Sequence, residues 1–447
     1  MCRLRRYMLA VAVFGIGVVQ IGRSAAADSR LPPLTPEVCR IIDREYPSLD
    51  ALYKHLHTHP ELSYHEEQSG ARMAKELKEL GFSVTEHLGG HGVVGILKNG
   101  DGPTVLVRAD MDALPVVERT GLPYSSKVRV RDKEGNEVGV MHACGHDIHM
   151  TCWIGTARVL TSMKDRWKGT LVFIGQPAEE VGAGARMMLD DGLFKKFPRP
   201  DYALALHCDS FRPHGTIAFT EGLALANVDS VDILVKGKGG HGSAPHTTID
   251  PIVLAARIVL DLQTLVSRET NPTDPAVVSV GSIHGGSKHN IIPNEVKLQI
   301  TVRSTKDSVR KNLLDGIKRI AEAAAAGAGA PAPVVTVHPE EFTPALLNEP
   351  KLTRRITGLF RELLGDDNVT ERPPVMGGED FSRYGRAGVP IFMYFLGTQA
   401  PEKVAAAEKE GKSLPSLHSD SFAPVTEPTI KTGVLTMSQA VLSLMGK

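Results

Sequence analysis

Apolar residues recur along this chain at two spacings, and the alternation between them outlines the fold. Residues 66–80 carry apolar side chains at helical spacing and the run stops at Gly81, which predicts a helix with a glycine end signal. Residues 82–87, 93–97 and 104–109 read as strands separated by Gly-rich turns. Residues 147–163 read as helix, 170–175 as a buried strand, 184–193 as helix and 202–207 as an apolar strand. Strands alternating with helices predict an α/β fold, a mostly parallel sheet flanked by helices on both faces.

A second pattern starts near Ala226. Residues 230–236 read as strand, 250–266 as helix, 276–282 and 295–303 as strands, 307–326 as an Ala-rich helix and 334–338 as strand. That order is βαββαβ, the ferredoxin-like split arrangement. After a small-residue linker at 327–333, residues 351–364 (helix), 390–396 (strand) and 427–445 (helix) resume the first pattern. The division expected is a catalytic α/β domain in two parts, 28–224 and 336–447, with a lid domain inserted at 225–335. Residues 28–48 contain prolines and read as a lead-in.

The beginning of the chain is different. Arg3, Arg5 and Arg6 precede an apolar run at 7–21, followed by Gly-Arg-Ser-Ala-Ala-Ala-Asp. This is the layout of a secretory signal, placed at residues 1–27, and it predicts an exported protein, periplasmic or secreted. The run is shorter than the roughly 20 apolar residues of a membrane span, so no stable span is expected after cleavage.

Composition narrows the function only a little. The 447 residues are 42% hydrophobic and 23% charged, enough for two or three domains of about 100–200 residues. Lys+Arg and Asp+Glu both number 51, so nothing in the charge balance argues for nucleic acid. Five cysteines in so long a chain are too sparse for a disulfide framework, which leaves a metal or catalytic role open for at least one.

Four short segments concentrate ligand-type side chains: Met141-His-Ala-Cys-Gly-His-Asp147, Gln176-Pro-Ala-Glu-Glu180, Ala205-Leu-His-Cys208 and Leu417-His-Ser-Asp420. Three follow the predicted carboxyl ends of strands, the edge at which α/β sheets assemble their sites. Amide hydrolysis needs a water made nucleophilic near neutral pH, and a bound divalent ion lowers the pKa of water towards about 7. Cys144, His146, Glu180, His207 and His418 are suitable ligands, and Glu179 is left to take the proton and hand it to the leaving nitrogen.

These segments resemble the aminoacylase and hippurate-hydrolase family of metal-dependent amidohydrolases, which includes the auxin–amino-acid conjugate hydrolases. The resemblance also takes in His57-Thr-His-Pro-Glu-Leu-Ser63, Arg108-Ala-Asp-Met-Asp-Ala-Leu-Pro115, Gly239-Gly-His-Gly-Ser-Ala-Pro245, Asn290-Ile-Ile-Pro293 and Gly377-Gly-Glu-Asp-Phe381, in that order along the chain. It implies a di-metal exopeptidase-like fold with two divalent ions (Zn, Mn or Co) on Cys144, His146, Glu180, His207 and His418, and Glu179 as general base. It further implies a homodimer formed through the lid, with His241 crossing to the neighbouring site to stabilise an oxyanion. Asn290 and Arg303 stand where relatives hold the substrate's terminal carboxylate, which Arg can grip bidentately. The substrate implied is a small N-acyl amino acid or a dipeptide.

Departures from the family pattern are visible. Arg108 occupies a position where broader relatives place a ligating His, so Asp110 and Asp112 read as supporting residues. Residues 127–140 form a long charged stretch, read as a hairpin near the cleft, and Gly378 replaces a frequent Ser. His55, His57 and His59 alternate but have no ligand partners by pattern, Cys152 and Cys208 read as core, and Gly239–Gly242 lacks a nucleotide-binding pattern. Three other functions compete: a metallo-dipeptidase or carboxypeptidase, a non-catalytic metal-binding protein on the same fold, and a hydrolase using Cys144 as nucleophile.

Overall fold

In the computed structural model, which describes residues 34–131 and 135–446, the strand Thr104–Asp110 is the centre from which the large sheet is built. The leader read at 1–27 lies outside the described residues. Val105, Val107 and Ala109 point to one face and Leu106 to the other. The next strands repeat this two-residue period, with Leu171 and Phe173 on one side and Val172 and Ile174 on the other. Both faces are therefore apolar and must be covered, as in a parallel sheet.

The sheet has eight strands, in the order 83–88, 92–99, 169–176, 104–110, 202–213, 391–399, 217–219 and 369–371. Its central pairs, 169–176 with 104–110, 104–110 with 202–213, and 202–213 with 391–399, are parallel. Helices Thr35–Thr58, His146–Ser162 and Thr426–Met445 cover one face and bury the larger core. The shorter helices Gly184–Asp190 and Ser382–Arg386 cover the other.

The inserted unit has its own core. Strands Asn227–Lys236, Ala276–Gly285, Glu295–Ser304 and Val334–Val337 form an antiparallel sheet, in the order 276–285, 295–304, 227–236 and 334–337. Helices Pro251–Arg268 and Asp307–Gly327 pack on it and complete the βαββαβ order. The first is started by Asp250, whose carboxylate accepts from the N–H groups of Ile252 and Val253, with Pro251 in the first turn.

Three readings need correction. Residues 28–48 are not a plain lead-in, because helix Thr35–Thr58 begins within them. Its buried Val38, Ile41, Ile42, Leu49, Leu52 and Leu56 keep helical spacing, and packing against His146–Ser162 and Thr426–Met445 holds it despite Pro47. Second, the strand containing His207 continues to Pro213, so His207 lies within the strand rather than at its end. Third, residues 127–140 do contain a hairpin, Arg129–Arg131 against Glu137–Gly139, but none of the described ones lines the cleft. Among the described residues no helix is long and apolar enough to cross a membrane.

One buried ionic cluster ties the helical layer together. His57, near the end of helix Thr35–Thr58, places Nδ1 2.7 Å from Asp147 and Nε2 3.2 Å from Glu118. Burial opposes its charge, but the two carboxylates outweigh burial and push its pKa up to about 10. Removing the cation leaves two buried acids without their partner, so His57→Gln is expected to lower unfolding free energy by about 3 kcal/mol near pH 6.5 in urea titrations. The charge stabilises fully below the unfolded pKa of about 6.5 and is lost as pH rises through about 10. The gap between variant and wild type should therefore narrow across that range, and a gap independent of pH would refute the assignment.

Candidate metal centre

Cys144 and His146 flank Gly145, which takes a left-handed conformation (φ 81°) and starts helix His146–Ser162. A Cβ on Gly145 would meet the Cys208 sulfur at 2.8 Å, so glycine is required for both space and backbone conformation. The turn directs the two neighbouring side chains into one volume. His146 Nδ1 lies 2.7 Å from the backbone carbonyl of Asp112. A carbonyl can only accept, so Nδ1 carries the proton and the Nε2 lone pair is left free. His207 is oriented in the same way by the carbonyl of Cys208, 2.8 Å from its Nδ1, and its Nε2 stands 3.5 Å from Cys144 Sγ.

The acids come from the loop after strand Gly169–Gln176. Ala178 is held at φ 50°, a left-handed conformation uncommon for alanine, and its N–H donates to Glu66 Oε1 at 2.7 Å. Glu180 N–H donates to Asp112 Oδ2 at 3.0 Å. These two bonds aim the Glu179–Glu180 pair inwards. Glu179 Oε2 and Glu180 Oε1 lie 3.8 and 3.7 Å from the free His146 Nε2. His418, itself at φ 66°, anchors its N–H on the carbonyl of Ala143 and brings Nε2 to 3.4 Å from Glu180 Oε2.

Donor atoms in the sets Cys144/His146/His207, Cys144/Glu180/His418 and His146/Glu179/Glu180 all lie within 4.8 Å of one another. The closer contacts, 3.4–3.5 Å, suit atoms arranged tetrahedrally around an ion with bonds of about 2.0–2.3 Å. His146 Nε2 and Glu180 Oε1 are buried and have no hydrogen-bond partner. Free lone pairs converging from thiol, imidazole and carboxylate groups fit divalent cations.

The local field points the same way. Burial resists charge on His146, yet Asp110, Asp112 and Glu180 draw its pKa up to about 10, so the position attracts positive charge. Burial, then Glu379 and Glu180, raise Glu179 well above the usual carboxylate range. Burial, then Glu180 and Glu179, raise the Cys144 thiol. Such a thiol ionises when a cation replaces its proton, and is not the spontaneous thiolate that a Cys nucleophile requires.

Arg108, at the position of a His in broader relatives, is a buried clasp. Its guanidinium donates to Asp110 (2.7 Å), Glu379 (2.8 Å), Asp380 (3.2 Å) and Gln176 (3.1 Å). Asp110 receives His149 Nδ1–H at 2.6 Å, while His149 Nε2 accepts the Cys208 N–H at 2.8 Å. With both nitrogens engaged, His149 is a support and has no lone pair for an ion. Glycine at 378 also has a steric reason, since a Cβ there would meet Val228 Cγ2 at 2.7 Å.

Cys144, His146, Glu179, Glu180, His207 and His418 are thus brought together. Arg303, from the small domain, lines the same cavity of about 970 Å³ and donates to the Met376 carbonyl at 2.9 Å. His241 and Asn290 are elsewhere: they are neighbours around the short ladder Gly240–His241/Ile291–Ile292, and neither lines the cavity of its own chain. Sequence reasoning missed Glu66 and His149. A Glu beside His57-Thr-His-Pro-Glu-Leu-Ser63, and a His three residues after His146 on the same helix, were the available signals.

Residues 106–419 match the model of peptidase family M20/M25/M40. The chain is 38% identical over 384 residues to thermostable carboxypeptidase 1 of Saccharolobus solfataricus, covering 85% of this chain and 91% of the relative. It is 37% identical over 328 residues to the hippurate hydrolase of Campylobacter jejuni, covering 73% and 82%. Among solved structures it resembles the YXEP protein of Bacillus subtilis, a dinuclear metal-binding peptidase of the M20 family, with a TM-score of 0.72 and 30% identity over 90% of this chain and 99% of that one.

The geometry predicts that His207→Ala lowers bound divalent metal by at least one ion per chain in elemental analysis, with far-UV circular dichroism retained. Full metal content in that variant would remove His207 from the centre.

Proposed function

The chain belongs to peptidase family M20/M25/M40, and from that premise we propose that it hydrolyses the amide bond joining an acyl group to an amino acid. It is a metal-dependent amidohydrolase. The observation that carries the substrate reading is the division of labour between adjacent carboxylates: Glu180 reaches both His418 and His146, while Glu179 faces the cavity without an ion-pair cation of its own beyond His146. Cys144, His146, Glu180, His207 and His418 would hold two divalent ions, of which zinc, manganese and cobalt suit this mixed donor set. Those ions supply Lewis acidity, which makes a water acidic and polarises the scissile carbonyl. Glu179 removes the proton from the attacking water, and the water oxygen forms the new bond to the carbonyl carbon. Glu179 then returns the proton to the amide nitrogen as the C–N bond breaks, releasing a carboxylic acid and an amino acid. Arg303, whose guanidinium lines the cavity, would receive the amino acid's carboxylate.

Carboxypeptidase activity is the second reading, favoured by the likeness to thermostable carboxypeptidase 1. It would use the same residues on a peptide bond, and a panel of N-benzoyl and N-acetyl amino acids beside dipeptides and blocked peptides separates the two. The leader at 1–27 supports export of the enzyme.

We infer further that the small domain pairs two chains and that the partner's His241 completes each site. Helix Pro251–Arg268 exposes Val253 (66%) and Leu260 (71%), and strand Ala276–Gly285 leaves its outer edge open beside exposed Ile283. Apolar side chains next to an open strand edge are the features that a second chain covers.

Glu179→Gln should keep its metal and lose activity by a factor of about 10²–10⁴, measured as kcat beside metal content. Near-normal turnover would sink the general-base role. Mixing inactive His241→Ala and Glu179→Gln chains tests the crossing histidine. Mixed dimers have one intact site, so exchange should restore roughly a quarter of wild-type activity, and no recovery would exclude a partner-supplied His241.

A further inference from the structure

We propose that the end of the cavity beyond His207 is a subsite for a carboxylate on the acyl half of the substrate, with Arg372 as its cation. The inference rests on the amide-hydrolase reading above. The cavity runs between two arginines. One wall includes Arg303, from a strand of the small domain. Another includes Asp209, Phe211 and Arg372, which are shared with a second cavity of about 480 Å³ that helix Pro401–Glu410 walls with Val404 and Glu408. The scissile carbonyl must sit at the ligands between these walls. With the amino-acid carboxylate towards Arg303, the acyl half extends past His207 towards Arg372.

Arg372 is built into the framework of the centre. Its guanidinium carbon lies 3.4 Å from the centroid of the Phe395 ring, and that ring is 6.1 Å from the ring of His207. Phe395 and His207 are paired residues on adjacent parallel strands, so the cation is held at a set distance from a ligand. Its side chain is only 19% exposed. Arg372 Nη1 donates to Asp209 Oδ2 at 3.2 Å, and Arg212 Nε reaches the same oxygen at 3.3 Å. Two guanidinium groups share one oxygen of Asp209, so neither has that carboxylate to itself, and Glu408 lines only the second cavity. Arg372 Nε is buried without a hydrogen-bond partner. A guanidinium that lines the cavity is suited to a second carboxylate, which the accessible part of its fork of N–H donors would hold. The approach to it is apolar, formed by Phe395, Leu417 and the exposed ring of Phe211 (52%), and suits the methylenes of a short dicarboxylic acyl chain.

The substrate class that follows is the N-acyl amino acid whose acyl group is a dicarboxylic acid. The test compares kcat/KM of the metal-loaded enzyme on N-succinyl and N-butyryl derivatives of one amino acid, which differ in the terminal carboxylate. Wild type should favour the succinyl substrate. Arg372→Met keeps an unbranched stem over Phe395 and leaves Asp209 its bond to Arg212. In that variant the succinyl-to-butyryl ratio should fall about tenfold or more, the size expected for losing a charged hydrogen bond. Arg372→Lys retains the cation and should keep most of the preference. No succinyl preference in wild type, or a ratio moved less than twofold by Arg372→Met, would overturn the subsite. So would an equal fall on both substrates, because Arg372 would then serve the shared amino-acid half or the pocket wall. Hydrolysis of neither substrate, nor of any other N-acyl amino acid, would instead remove the amide-hydrolase reading and the subsite with it.

Discussion

Six carboxylates, those of Asp110, Asp112, Glu179, Glu379 and Asp380, which are buried, and of the partly buried Glu180, form one group whose guanidinium is Arg108. Buried charge is tolerated only when paired, and Arg108 with His146 cannot balance six acids. The rest of the centre follows from this imbalance. Arg108 is engaged by Asp110, Glu379 and Asp380, the last two at the cavity wall. Asp110 is held below the ordinary carboxylate range because His146, His149 and Arg108 together outweigh its burial. Asp380, more deeply desolvated than Arg108 can offset, rises to about 7. Glu179 and Glu180 are left facing the cavity, where burial and their neighbours' charge oppose ionisation and divalent ions are suited to take the place of their protons.

A second layer of hydrogen bonds converts that charge into a defined geometry. Backbone carbonyls of Asp112 and Cys208 choose the tautomer of His146 and His207, so both present Nε2. Asp112 acts twice, its carbonyl orienting His146 and its carboxylate holding the Glu180 N–H. Glu66 holds the neighbouring Ala178 in a left-handed turn. Two of the four non-glycine residues at positive φ among the described residues, Ala178 and His418, are therefore at this centre, where surrounding bonds support a conformation that alanine and histidine seldom adopt.

The small domain adds what the sheet cannot. The sheet's carboxyl edge brings the candidate ligands and base together, and Arg303, on a strand of the inserted sheet, adds a guanidinium to the same cavity. His241 and Asn290 lie side by side on that same unit and away from the cavity of their own chain.

The alternation of apolar runs was enough to outline the βα order, the inserted βαββαβ unit and the helical end of the chain, because burial on both sheet faces leaves a strong periodic trace. Residue type and order likewise marked Cys144, His146, Glu179, Glu180, His207 and His418, since thiol, imidazole and carboxylate side chains clustered after strands have few other uses. The helix at Thr35–Thr58 was hidden by its prolines, although its apolar spacing was there to be read. What no pattern in the chain could supply was the pairing of distant groups: Arg108 with Glu379, Glu66 with Ala178, His57 with Asp147 and Glu118, and Arg372 with Phe395 and Asp209. The sequence by itself determined which side chains could bind an ion or move a proton. Tertiary structure decided which of their lone pairs remain free, because that depends on hydrogen bonds between residues far apart in the chain and brought into contact only by packing.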